Sequence, residues 1–175
     1  MTFSIVGHCP KTDMAGVAIT TSSISVGSRC PHVLAGAGAV TTQNVTDPSI
    51  GPEELAQLAA GATADAALAA VMADRPYSDY RQVALVDLSG NVAHFTGANI
   101  LGTNAVATGV GCIAAGNLLA SEAVPTAMVT SFAAGADLHL ADRLLAALQV
   151  GIDAGGEEGP THSAALLVAH RNSWP

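Results

Sequence analysis

A chain of 175 residues with six Lys and Arg against fourteen Asp and Glu has a formal net charge of −8. It offers no basic stripe for a phosphate backbone, which excludes nucleic acid as an expected partner. Half of the residues are hydrophobic, yet only 3% are aromatic and 18 are glycine, so the core must be built from small aliphatic side chains in thin layers.

The length fits one domain over residues 1–175. Cys9, Cys30 and Cys112 are odd in number and widely spaced with no CxxC, which argues against a disulfide framework and for a reducing interior. The amino terminus lacks a basic-then-apolar signal pattern. Residues 97–121 carry no charge, but glycines, Asn and Thr interrupt them, so they read as buried strand and turn. The expectation is a soluble, cytoplasmic protein with no membrane partner.

Residues 2–8 and 14–23 are rich in β-branched side chains and flank a turn at Cys9-Pro10-Lys11-Thr12-Asp13, which predicts an antiparallel hairpin. A five-residue loop would set His8 opposite Met14 and bring Thr2 near Thr20 or Thr21. Residues 33–46 read as one apolar strand from whose end Thr42, Gln43 and Asn44 emerge. After a turn, Pro52 suits a first helical position with Glu53 and Glu54 behind it, and helices are expected over 52–60 and 63–74, the second capped by Thr63. Residues 82–87 and 91–96 flank Leu88-Ser89-Gly90 as a second hairpin. One strand near 106–115 ends at Gly116-Asn117. Helices follow over 121–134, capped by Ser121, and 138–154, with an apolar face on Leu140, Leu144 and Leu148. A strand over 161–169 is the last element. This order predicts an α+β fold, a four-layer α-β-β-α sandwich with two antiparallel sheets between helix pairs; a single-sheet α+β fold is the alternative.

The first residues carry the chemistry. If Met1 is removed, Thr2 holds a hydroxyl and a free α-amine, and such an amine, with an ordinary pKa of about 7.7–8.0, can take the hydroxyl proton as a histidine does in a catalytic triad. The hydroxyl run Thr20-Thr21-Ser22-Ser23 lies beside it by register. Thr21 and Gln43 are candidates to orient the amine. The Asn117 side-chain amide and the backbone N–H groups around Thr21–Ser23 or Gly116 are candidate oxyanion donors. Asp87 reads as a hairpin-turn residue. Cys30-Pro31-His32 with His8-Cys9 offers soft metal ligands, but at no zinc spacing. Gly109-Val110-Gly111-Cys112-Ile113-Ala114 fits a dinucleotide string but lies within a strand. No cofactor is expected.

Several of these stretches resemble one family. Thr2-Phe3-Ser4-Ile5-Val6, Ser25-Val26-Gly27-Ser28, Ala39-Val40 with Thr42-Gln43, Gly51-Pro52, Arg81-Gln82, Phe95-Thr96-Gly97, Gly116-Asn117, Arg143-Leu144-Leu145-Ala146-Ala147-Leu148 and Ser163-Ala164-Ala165-Leu166-Leu167-Val168 look like domain-of-unknown-function family 1028. That family is similar to the N-terminal-nucleophile hydrolases of α-β-β-α fold. The resemblance implies that Thr2 is the nucleophile of an amidohydrolase cleaving an amide or similar carbon–nitrogen bond in a small substrate, with Thr21, Gln43 and Asn117 at the family's polar positions. Ser22 stands where a basic residue is common in the family, His162 where a glutamine and His32 where an aromatic is frequent. Relatives often continue beyond Trp174-Pro175 through another extended segment. A non-catalytic small-molecule-binding protein on the same fold is the rival reading. A homodimer is expected, because thin Ala- and Gly-rich layers could leave apolar surface for a second copy.

Overall fold

The computed structural model describes residues 1–173; Trp174 and Pro175 lie outside the described residues. In chain order the elements are β1 (Thr2–Cys9), β2 (Met14–Thr21), a short 3-10 turn (Val26–Ser28), β3 (Pro31–Leu34), β4 (Gly38–Asn44), α1 (Ile50–Ala59) and α2 (Ala64–Met72). After a second 3-10 turn (Ser78–Tyr80) come β5 (Arg81–Asp87), β6 (Val92–Thr96), β7 (Ala105–Gly109), β8 (Cys112–Asn117), α3 (Ala123–Ala134), α4 (Leu140–Asp153) and β9 (Ser163–His170). The strands form a five-stranded sheet ordered β7-β8-β1-β2-β9 and a four-stranded sheet ordered β3-β4-β5-β6, antiparallel throughout.

Three apolar layers stack the sheets between the helix pairs, which makes the α-β-β-α sandwich. Phe3, Ile5 and Cys9 of β1, with Cys112 of β8, pack beneath Met128 and Phe132 of α3 and Leu144 and Leu148 of α4. The alternate residues of the five-stranded sheet, such as Val6, Val17, Ile19 and Ile113, meet Ala39, Ala84 and Val86 of the other sheet; Cys30 lies in this middle layer. Val40, Val83 and Leu85 turn outward against Leu55 and Leu58 of α1 and Ala67 and Val71 of α2. Strand β1 is therefore buried on both faces, which explains why it reads as a near-continuous apolar run.

Three turns differ from the sequence expectation. The first hairpin pairs Cys9 with Met14 and Thr2 with Thr21: its turn is one residue shorter than expected, because Asp13 takes a left-handed conformation (φ 51°) and lets the ladder run on to Cys9. The stretch 33–46 is a hairpin, not one strand, bent at Gly36 (φ 78°). The stretch 106–115 likewise folds back through Val110-Gly111, with Gly111 at φ 66°. Glycine tolerates such angles without steric cost, so two pairs of short strands replace two longer ones. Helix α1 begins at Ile50, two residues before Pro52. Thr63 caps α2 as expected, accepting from the Ala66 N–H. Ser121 accepts from the Ala123 N–H one residue outside the cap position.

Candidate functional site

Register brings Thr2, Thr21 and Asn117 to one level. Thr2 opens β1, the central strand of its sheet, and faces Thr21 on one side and Asn117 on the other. Alternation points all three toward the other sheet, in line with Val6, Ile19 and Ala115 of the middle layer. The Thr2 and Thr21 hydroxyl oxygens lie 3.0 Å apart, and both donate to the Met1 carbonyl, at 2.6 and 2.5 Å. Thr21 Oγ1 also accepts from the Ser23 N–H at 3.3 Å.

Gln43 approaches from β4 and belongs to a chain of buried amides. Ser4 Oγ donates to Gln43 Oε1 (2.8 Å), Gln43 Nε2 to Gln82 Oε1 (2.8 Å), and Gln82 Nε2 to the Gly116 carbonyl (3.1 Å). Asn117 Nδ2 donates to the same Gln82 Oε1 at 3.2 Å. The chain ties the two sheets together and holds Asn117 in place. Asn117 Oδ1 is buried with no partner among the described residues, which leaves one acceptor of the site uncommitted.

Gln43 thus touches Ser4 and Gln82, not the Thr2 backbone. Of the expected oxyanion donors, the Ser22 N–H is taken by Glu157 Oε2 at 3.1 Å, the Ser23 N–H by Thr21 at 3.3 Å, and one of the two Asn117 amide hydrogens by Gln82. Thr42 turns to the α1 side with its hydroxyl unpartnered among the described residues. Asn44 is a strut: it donates to the Tyr80 carbonyl (2.8 Å) and accepts from the Leu101 N–H (3.3 Å).

Glu157, Ser4 and Gln82 complete the site, and sequence reasoning assigned them no role there. Glu157 follows the helix-stopping Gly155-Gly156, and its isolated bridge to Leu119 brings it to this end of the sandwich. Burial pushes its carboxyl pKa up, while the Ser22 N–H, the chain's ammonium, Thr161 and His162 pull it back. Only the polar character of Gln82 beside Arg81 hinted at its role, since its partners lie on another sheet. His162 Nδ1 lies 2.6 Å from the Ser22 carbonyl, so Ser22 is held through its backbone.

Thr2 is only 7% exposed. Three cavities lie elsewhere: one of about 360 Å³ at the far end of β1, one of about 330 Å³ between β3 and α1 and one of about 560 Å³ over α3 and α4. None of these three is lined by Thr2, Thr21, Gln43 or Asn117. Among the described residues no three His, Cys, Asp or Glu side chains come together as a metal site, and no helix is long and apolar enough to cross a membrane.

Residues 2–175 match the sequence pattern described as "Family of unknown function (DUF1028)". The chain belongs to the DUF1028 family. A solved relative, protein SPO2555 from Silicibacter pomeroyi, is also assigned to DUF1028; it is 37% identical with a TM-score of 0.89, over 97% of this chain and 73% of its own. No curated protein matches this DUF1028 chain.

Proposed function

We propose that this DUF1028 chain is an N-terminal-nucleophile amidohydrolase that cleaves an amide or similar carbon–nitrogen bond in a small substrate, with Thr2 as its nucleophile once the Met1–Thr2 bond is cut. One observation carries the reading: Thr2, at the head of the central strand, has its hydroxyl within hydrogen-bond reach of Thr21 and stands level with Asn117. In the proposed reaction the Thr2 oxygen attacks the substrate carbonyl carbon and its proton passes to the freed α-amine. The ammonium protonates the departing nitrogen, and water then hydrolyses the acyl ester. The substrate carbonyl oxygen would take the place that the Met1 carbonyl oxygen holds between the two hydroxyls, with Thr21 as donor. Asn117, fixed by Gln82, and Gln43, fixed by Ser4, keep the wall of the site rigid.

The test has two parts. Mass spectrometry of the native protein gives a chain beginning at Thr2, and the purified protein releases amine from at least one member of a panel of small amides and dipeptides. Thr2→Ala then lowers turnover by a factor on the order of 10³ or more, and Thr2→Ser retains part of it. Turnover that survives Thr2→Ala overturns the mechanism.

The near-closure of Thr2, with Ser22 where a basic residue is common in the family, favours the second reading, a non-catalytic small-molecule-binding protein on the same fold. On that reading Met1 stays attached and Thr2→Ala changes ligand affinity without any turnover to lose.

A further inference from the structure

At the opposite end of β1, about 20 Å along the strand from Thr2 at the usual rise per residue, lies the cavity of about 360 Å³, at the small end of ligand sites. Its walls combine two cations, Lys11 and Arg143, and the imidazole of His8, whose pKa burial lowers, with apolar surface from Pro10, Val110 and Ala133. No Asp or Glu lines it, although the chain as a whole carries a net charge of −8.

Two of its polar groups lack a partner suited to them. Arg143 is nearly buried; its Nε donates to the Phe132 carbonyl at 2.5 Å and its guanidinium lies 3.6 Å from the centre of the Phe132 ring. Its terminal nitrogens have no carboxylate or hydrogen-bond partner among the described residues. Burial lowers the Arg143 pKa, with the neighbouring Cys112 and Cys9 thiols opposing, as expected of a guanidinium that no anion compensates. His8 is 4% exposed, and its Nε2 is buried without a partner among the described residues. Lys11, at the rim, is already held by Asp137 at 2.8 Å. Burial opposes the Cys9 thiolate here, yet hydrogen bonds from Thr12 and Lys11 and the charge of Arg143 leave its pKa below the ordinary thiol value. The charge of Arg143 is thus felt at Cys9, whereas at Cys112 burial outweighs it and pushes the thiol up to about 11.

We propose that this cavity is a second binding site, distinct from the Thr2 site, for a small organic carboxylate: the carboxylate pairs with the free end of Arg143 and accepts from His8, while the apolar body lies against Val110, Pro10 and Ala133. A planar guanidinium with both terminal NH2 groups unused matches a carboxylate in a bidentate pair, which a neutral amide cannot replace.

Isothermal titration with hexanoate tests it, with hexanamide and inorganic phosphate as controls. Hexanoate binds, hexanamide binds at least about tenfold more weakly, and Arg143→Met weakens hexanoate by about tenfold or more, the effect of losing one charge-assisted pair. Arg143 also supports Phe132, so Val110→Glu provides a second variant: Val110 is 98% exposed on its turn, and a carboxylate at the mouth weakens hexanoate several-fold without disturbing the fold. Thr2→Ala leaves hexanoate affinity unchanged, which separates this proposal from the hydrolase reading. Absence of hexanoate binding, equal affinity for hexanamide, binding of phosphate in its stead, or unchanged affinity in both Arg143→Met and Val110→Glu would overturn it.

Discussion

Glu54 of α1 is fully buried, and neither carboxylate oxygen has a partner among the described residues. Burial, reinforced by Glu53 and opposed by Arg75, pushes its pKa up from 4.5 to about 7. The folded state therefore binds a proton more tightly than the unfolded chain. This contribution to stability is fully present below pH 4.5 and is lost as the pH rises through about 7. Glu54→Gln should thus raise the melting temperature at pH 8, by on the order of 1–3 kcal/mol in stability, and have little effect at pH 4; thermal unfolding at the two pH values checks this. Gln43→Leu makes the opposite case. It strips Ser4 Oγ of its acceptor and Gln82 Oε1 of one donor, at a cost on the order of 2 kcal/mol, and adding Ser4→Ala should recover part of that loss in denaturant unfolding. The shared level of Thr2, Thr21 and Asn117 was legible because each is a polar residue at the end of an apolar strand; that Gln43 meets Ser4 and Gln82 and not Thr2 was not legible. Nor were Ser4, Gln82 and Glu157, because what makes them matter is a partner on another strand, or in Glu157's case a buried bridge after a helix.

Helices and hairpins were legible where a local signal existed, as with the Thr63 cap of α2 or the turn after Asp87, whose carboxylate accepts from the Ser89 and Asn91 N–H groups. The breaks at Gly36 and Gly111 were missed because each sits inside an uncharged, mostly apolar stretch with other glycines nearby, and periodicity alone does not separate one long strand from two short ones. Close packing of elements shows the same dependence on small residues. A Cβ on Gly7 of β1 would lie 2.6 and 2.7 Å from two ring carbons of Phe132 and 3.3 Å from Leu144. Phe132 is completely buried, so its ring has little room to give way. Gly7→Ala should therefore push α3 away from the sheet at a cost on the order of 1–3 kcal/mol, measurable as a lower denaturation midpoint.

The four layers followed from the order of strands and helices, but the strand order within the sheets did not. That β9 returns to pair with β2, and β8 with β1, depends on contacts between distant parts of the chain, which no local pattern encodes. The three free cysteines are all buried, with Cys9 and Cys112 between the five-stranded sheet and its helices and Cys30 between the two sheets. Alkylating reagents can therefore time how the layers come apart: Cys9 and Cys112 reacting ahead of Cys30 would mean that α3 and α4 peel off first, and simultaneous reaction of all three would mean that the sandwich opens in one cooperative event.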